Sequence, residues 1–200
     1  MQAPPPDGLD LRDFPTASHD GPLYRAHSRD RGAWFFSSSG GGRFDLRPPS
    51  GTCYLAESVA SSVRERVGEQ FTPDRAIAPE DAAKLVVSKL EVTVKQVADL
   101  NAPRVGEYPI TSELTAMDDY RVPHAWARAL SEVGMAGVRY RGRFSYSSGD
   151  AWAIFGGRGP DESRAADPTP MDGFDACALA GVAVLPAPPS DLIGLTIVKF

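Results

Sequence analysis

Four polar side chains fall where packing alone gives them little reason to be: Arg25 in GPLYRAHS, Arg43 in GGGRF, Tyr54 in TCYLA and Glu65 in SVRERVG. Between them they offer two guanidinium groups to contact a ligand, an aromatic hydroxyl and a carboxylate. Each also has a plainer account. Arg25 sits inside what reads as the first strand, where an edge arginine can lay its methylenes on apolar surface and keep its charge in water. Arg43 follows three glycines, which either let the backbone approach a bound group closely or form a loop ending in a solvated arginine. Tyr54 adjoins Leu55 and reads, on its own, as a core tyrosine with a satisfied hydroxyl. Glu65 points roughly opposite to Val59, Val63 and Val67, so it belongs either to a solvated helix face or to a carboxylate in a wet cleft.

Other chemistries lack their signatures. Neither G-x-G-x-x-G nor G-x-x-x-x-G-K-[ST] occurs, so the glycines of SSSGGG are not a phosphate loop of either kind. His19, His27 and His124 stand far apart, and no G-x-S-x-G elbow accompanies the serines. Cys53 and Cys177 are each alone among apolar neighbours and read as buried free thiols. The carboxylates of EDAAK and MDDY lack calcium-loop spacing, so no metal is expected. The stretch VRYRGRFSYSSGDAWAIF interleaves Arg139, Arg141 and Arg143 with Tyr140, Phe144 and Tyr146, a basic and aromatic pattern that suits nucleic acid. Against that, the formal net charge is −5, and such a chain is repelled by a phosphate backbone unless the basic patch is strongly local.

The elements that must position these residues can be read from periodicity. Thr52–Ala56 reads as a short buried strand; Ser58 then caps a helix whose Val59, Val63 and Val67 repeat at i, i+4 and i+8 until Gly68 stops it. KLEVTVKQV alternates Leu90, Val92 and Val94 against Glu91, Thr93 and Lys95, a half-buried strand. Pro123 starts a helix bearing Trp126, Ala127, Leu130 and Val133, closed near Gly134. The arginine-rich stretch reads as two short strands around SSGD, followed by the apolar runs ACALAGVAVL and LIGLTIVKF. Gly32 to Gly51 is a long Gly, Ser and Pro-rich connection of the kind that carries function or moves.

Two hundred residues with 42% hydrophobic content suffice for one compact domain, expected as α+β with a mixed sheet and flanking helices. Residues 1–20, with PPP and DG and with GP just after them, are expected as a turn-rich extension that Leu9, Leu11 and Phe14 can pin to a domain of residues 21–200. The start has no basic segment followed by an apolar one, and no apolar run approaches membrane-spanning length; with two lone cysteines, a reducing cytoplasm fits.

Taken in order, GPLYRAHS, GGGRFD, SGTCYLAES with SVRERVG, and GVRYRGRFSYSSGDAWAIF resemble the RES-domain family, the toxin components of RES–Xre toxin–antitoxin systems. The similarity runs from about Gly21 to Phe155. It implies a fold like that of the ADP-ribosyltransferase toxins and cleavage of NAD, as substrate rather than cofactor, at the nicotinamide–ribose bond by water or phosphate. By motif, Arg25 matches the family arginine, Arg43 the arginine of "GRF", Tyr54 the tyrosine of "YLA" and Glu65 the family glutamate. Arginines suit a pyrophosphate. A carboxylate suits an oxocarbenium-like ribose. Tyr54, with Phe44 or Trp34 as further candidates, would fence the nicotinamide ring. One departure stands out: where the family pattern has a serine this chain has Gly142, and Ser145, Ser147 and Ser148 follow as substitutes if the turn folds back.

The expectation is therefore an NAD glycohydrolase or phosphorylase restrained by an Xre-type antitoxin that blocks the cleft. An ADP-ribosyltransferase acting on a protein or small molecule is the alternative, as is a catalytically silent RES-like module that binds NAD or a partner, suggested by Gly142. Short loops and strong strands near a cleft are compatible with a homodimer without requiring one.

Overall fold

The computed structural model describes residues 1–68, 76–144 and 149–186. In chain order its elements are β1 (Thr16–Ser28), β2 (Phe35–Phe36), β3 (Ser50–Ala56), α1 (Val59–Val67), β4 (Ala76–Ile77), α2 (Pro79–Lys84) and β5 (Leu85–Asp99). Two 3-10 turns, Pro103–Glu107 and Ser112–Thr115, lead to α3 (Arg121–Glu132), β6 (Gly137–Tyr140), β7 (Ala151–Gly157) and β8 (Gly159–Pro160). The chain continues through β9 (Met171–Asp172), α4 (Gly173–Ala180) and β10 (Ala183–Val184).

The pairings close on themselves. The main sheet runs β1-β3-β7-β6-β5-β9, and β5 pairs back to β1, so five strands form a ring with β9 added at one edge. β1 and β5 are antiparallel from Thr16↔Ala98 to Ser28↔Leu85, with a register shift between Ala17 and His19, close to Gln96, which takes φ 55°. This is a β-bulge, which bends and twists the long strand so that the ring can curve. β5 and β6 are parallel; β3–β7 and β6–β7 are antiparallel. The ring is thinnest at β1–β3, where the register holds one pair, Tyr24↔Ala56.

Strand alternation then sorts side chains into three apolar clusters. Leu23, Cys53, Leu55, Leu90, Val92, Trp152 and Ile154 point inward and pack together. The outer face of β3, β6 and β7 presents Tyr54, Val138, Tyr140, Ala151 and Ala153 to α3, through Trp126 and Leu130. The outer face of β1 and the start of β5 presents Tyr24, Ala26, Leu85 and Val87 to α1 and α4. Burying a side chain such as Val63, with no exposed surface, contributes roughly 1.5–3 kcal/mol.

The architecture is the expected α+β mixed sheet with flanking helices. α1 begins where the sequence placed it, with Ser58 Oγ accepting from Ser61 N–H at 3.1 Å, and ends at Gly68. α3 forms with Trp126, Ala127 and Leu130 buried, though it begins at Arg121, two residues before Pro123, and leaves Val133 exposed past its end. The strand pair β6–β7 forms as expected, and both cysteines are buried and free. The first twenty residues are packed against the body: Leu11 and Phe14 are buried, Gln2 bonds Pro109 O and Thr111, and residue 20 already lies inside β1. ACALAGVAVL resolves into the end of α4 and β10, while LIGLTIVKF lies outside the described residues. No helix among the described residues is long and apolar enough to cross a membrane.

Candidate active site

The two faces of α1 serve two purposes. Val63 and Val67 enter the cluster with Ala176, Cys177 and Ala180 of α4, and Arg64 ties the pair by donating to Ala180 O at 2.9 and 2.7 Å. Glu65, about 200° around the helix from Val63, faces a cavity of about 260 Å³ bounded also by Tyr54, Tyr140, Phe144 and Arg43. Glu65 Oε1 accepts the backbone N–H of Phe144 at 2.7 Å, which fixes the carboxylate and draws the end of the β6 segment over the cavity. Of the two accounts open for Glu65, the cleft is the one that forms.

Tyr54 lies on the outward face of β3, and its hydroxyl is fully committed: it donates to Asp45 Oδ1 at 2.9 Å and accepts from Phe44 N–H at 2.9 Å. Burial first, then the neighbouring Asp45 charge, push its phenol well above the usual range, so it stays neutral. Asp45 is buried, and its Oδ2 takes the N–H groups of Gly40 at 2.9 Å and Gly42 at 3.2 Å, folding the glycine segment onto the cavity rim. Gly42 has to be glycine here, because a Cβ would sit 2.5 Å from both Asp45 Oδ1 and the Tyr54 hydroxyl. His124 secures the same segment from α3 by bonding Gly42 O at 2.8 Å.

Arg43 is buried at this rim. It donates to Met117 O and lies over the Tyr120 ring at 4.9 Å, so its guanidinium is anchored on one side while the residue still lines the cavity. Tyr140 is 5% exposed, and its hydroxyl makes no hydrogen bond among the described residues. Burial and then the Glu65 charge push its phenol up. A neutral donor thus lines the same cavity as a carboxylate.

Arg25 is not among the residues lining this cavity. It occupies the same face of β1 as Leu23, and its guanidinium donates to Ala33 O and, at 2.8 Å, to Phe35 O. Burial holds it below the ordinary arginine value. Its visible work is to brace the segment entering β2. Phe44 has no exposed surface and meets Tyr140 edge-on at 4.9 Å, supporting that ring from behind. Trp34 is buried in the inner cluster and donates to Ala165 O at 3.0 Å. Ser145, Ser147 and Ser148 lie outside the described residues. Gly142 is buried and lines a different hollow, beside Asn101, Thr111 and Arg143.

The site therefore unites Glu65, Tyr54 and Arg43, and adds residues the sequence reading passed over. In sequence Tyr140 is visible only as part of a basic and aromatic stretch, Asp45 only as the last letter of GGGRFD and Tyr120 only as the last letter of MDDY. No group of three or more His, Cys, Asp or Glu residues able to hold a metal occurs among the described residues.

No curated protein matches this sequence. Among solved structures, a chain of the crystal structure of the M. tuberculosis MbcT–MbcA toxin–antitoxin complex is similar in fold, with a TM-score of 0.63 at 18% identity. The match covers 83% of this chain and 92% of that one. The RES domain family model matches residues 22–176, a span that runs from β1 into α4 and includes every cavity residue named above. With well over half of its length so matched, the chain belongs to the RES domain family.

Proposed function

We propose that this chain cleaves NAD at the nicotinamide–ribose bond, with water or inorganic phosphate as acceptor, and acts as the toxin of a toxin–antitoxin pair. The observation that carries this is the Glu65 carboxylate facing a cavity walled by Tyr54, Tyr140 and Phe144 and rimmed by Arg43. Its volume of about 260 Å³ lies just under the usual range for small-molecule sites, roughly 300–1,000 Å³, and suits a ring with its sugar better than a whole dinucleotide.

The chemistry follows from those groups. When the bond from ribose C1′ to the pyridinium nitrogen breaks, its electron pair leaves with nicotinamide, which becomes neutral and needs no proton. Positive charge then spreads over C1′ and the ring oxygen. A carboxylate beside the ribose interacts more strongly with that state than with bound NAD, which lowers the barrier. Aromatic walls keep bulk water from the leaving ring, and a cationic rim favours the anionic part of the substrate. Water or phosphate then bonds to C1′, and water gives up a proton after attack.

Family membership supports NAD as the substrate, and the fold neighbour comes from a toxin–antitoxin complex, which supports a protein partner that covers the cavity. The test is incubation with NAD, with and without phosphate, followed by separation of nicotinamide, ADP-ribose and ADP-ribose-1″-phosphate. Glu65→Gln keeps an acceptor for Phe144 N–H but loses the charge, and should slow nicotinamide release by about 10²-fold or more at unchanged melting temperature. NAD left intact by the wild-type protein, where an established NAD glycohydrolase consumes it, would sink the reading; label retained on a protein acceptor would favour a transferase.

A further inference from the structure

We propose that Arg66 forms a diphosphate-binding subsite at the mouth of the cavity, on the side that opens toward the groove between α1 and α2. This rests on the NAD-cleaving reading above. Arg66 is the residue shared by two hollows: the cavity that holds Glu65, and a smaller groove of about 80 Å³ walled by Val67, Ile77, Lys84 and Leu85. In NAD the diphosphate hangs from the 5′ carbon of the same ribose whose C1′ reacts. A carboxylate at position 65 and a cation at position 66, about 100° apart around one helical turn, match that neighbourhood of ribose and diphosphate.

The commitments of the other arginines single out this one. Arg25 is spent on Ala33 and Phe35 carbonyls, Arg64 on Ala180 O, and Arg43 on Met117 O and the Tyr120 ring. Arg66 is exposed and makes no hydrogen bond or ion pair among the described residues. Its charge is felt nearby: Arg25 and His27 are both held low, by burial first, and the Arg66 cation adds to the effect in each. Lys84, also exposed and without an ion pair among the described residues, brings a second cation to the groove, where Asp81 is the carboxylate. A diphosphate would meet the Arg66 and Lys84 cations there through charge-assisted contacts.

The experiment is calorimetric titration of ADP-ribose and of nicotinamide riboside, which has no phosphate, into the wild type and into R66K, R66A and R66E. ADP-ribose should bind about tenfold or more weakly to R66A, less so to R66K and more so to R66E, as expected for loss of a charge-assisted phosphate contact. Nicotinamide riboside affinity and the melting temperatures should not change. Unaltered ADP-ribose binding in R66A, equal weakening of both ligands, or no binding of ADP-ribose to the wild type would each overturn the subsite. Arg66-dependent ADP-ribose binding in a protein that releases no nicotinamide would instead overturn the cleavage reading and leave the subsite standing.

Discussion

Two tyrosines face one cavity with opposite commitments. The Tyr54 hydroxyl is locked between Asp45 and the Phe44 amide, so its removal unpairs a buried carboxylate oxygen and an amide together. Tyr54→Phe should therefore destabilise the protein by roughly 1–3 kcal/mol, measured by urea unfolding. Tyr140 has no such ties among the described residues, and its hydroxyl lines the same cavity as Glu65. Tyr140→Phe should leave unfolding unchanged and lower kcat for nicotinamide release by about tenfold, the scale of one hydrogen bond to a charged or developing-charge group. Loss of stability in the Tyr140 variant, or loss of activity without loss of stability in the Tyr54 variant, would reverse the assignment of the two roles.

At the scale of elements, β1 and β5 are joined through His27, whose Nε2 meets Ser88 Oγ at 2.9 Å and whose Nδ1 meets Ser28 O at 3.0 Å. Burial holds this imidazole below its ordinary value, so in the folded state it resists protonation. The unfolded chain then binds a proton more readily, near pH 6.5, than the folded one does. The stability this confers is complete above that pH and declines as pH falls through it. Melting temperature should fall between about pH 7 and 5, and His27→Gln should flatten the decline.

The same elements show what the sequence made legible. α1, its Ser58 cap and its valine stripe were readable because a helix period and a cap are local. Glu65 and Tyr54 were readable as candidates, since α1 and β3 are consecutive. Arg25 was readable as a strand residue, yet which side of β1 faces the cavity depends on pairing with β5, about sixty residues away, and on ring closure. Alternation fixes that Leu23 and Arg25 share a face, not where that face looks. Asp45 was illegible for a related reason: its partners are the Gly40 and Gly42 amides and the Tyr54 hydroxyl, brought together by a loop that doubles back.

Across the whole molecule, the N-terminal lead-in acts as a strap. Phe14 is buried and packs on Tyr108 at 4.7 Å, Leu11 joins the same cluster, and Trp126 of α3 donates to Ala3 O at 2.9 Å. The strap thus holds α3, and α3 holds the glycine segment through His124. Phe14→Ala should cost about 3–5 kcal/mol of stability in urea unfolding, an effect too large for a loose tail.

The seam of the ring has its own consequence. Ala26 and Ala56, from the two strands that meet there at a single pair, line the cavity together with Ala151. Three methyl groups thus form this part of the cavity wall. Natural drift at those positions could widen or narrow the range of accepted molecules while Glu65 and the tyrosines stayed in place, so relatives with the same chemistry would diverge first in appetite.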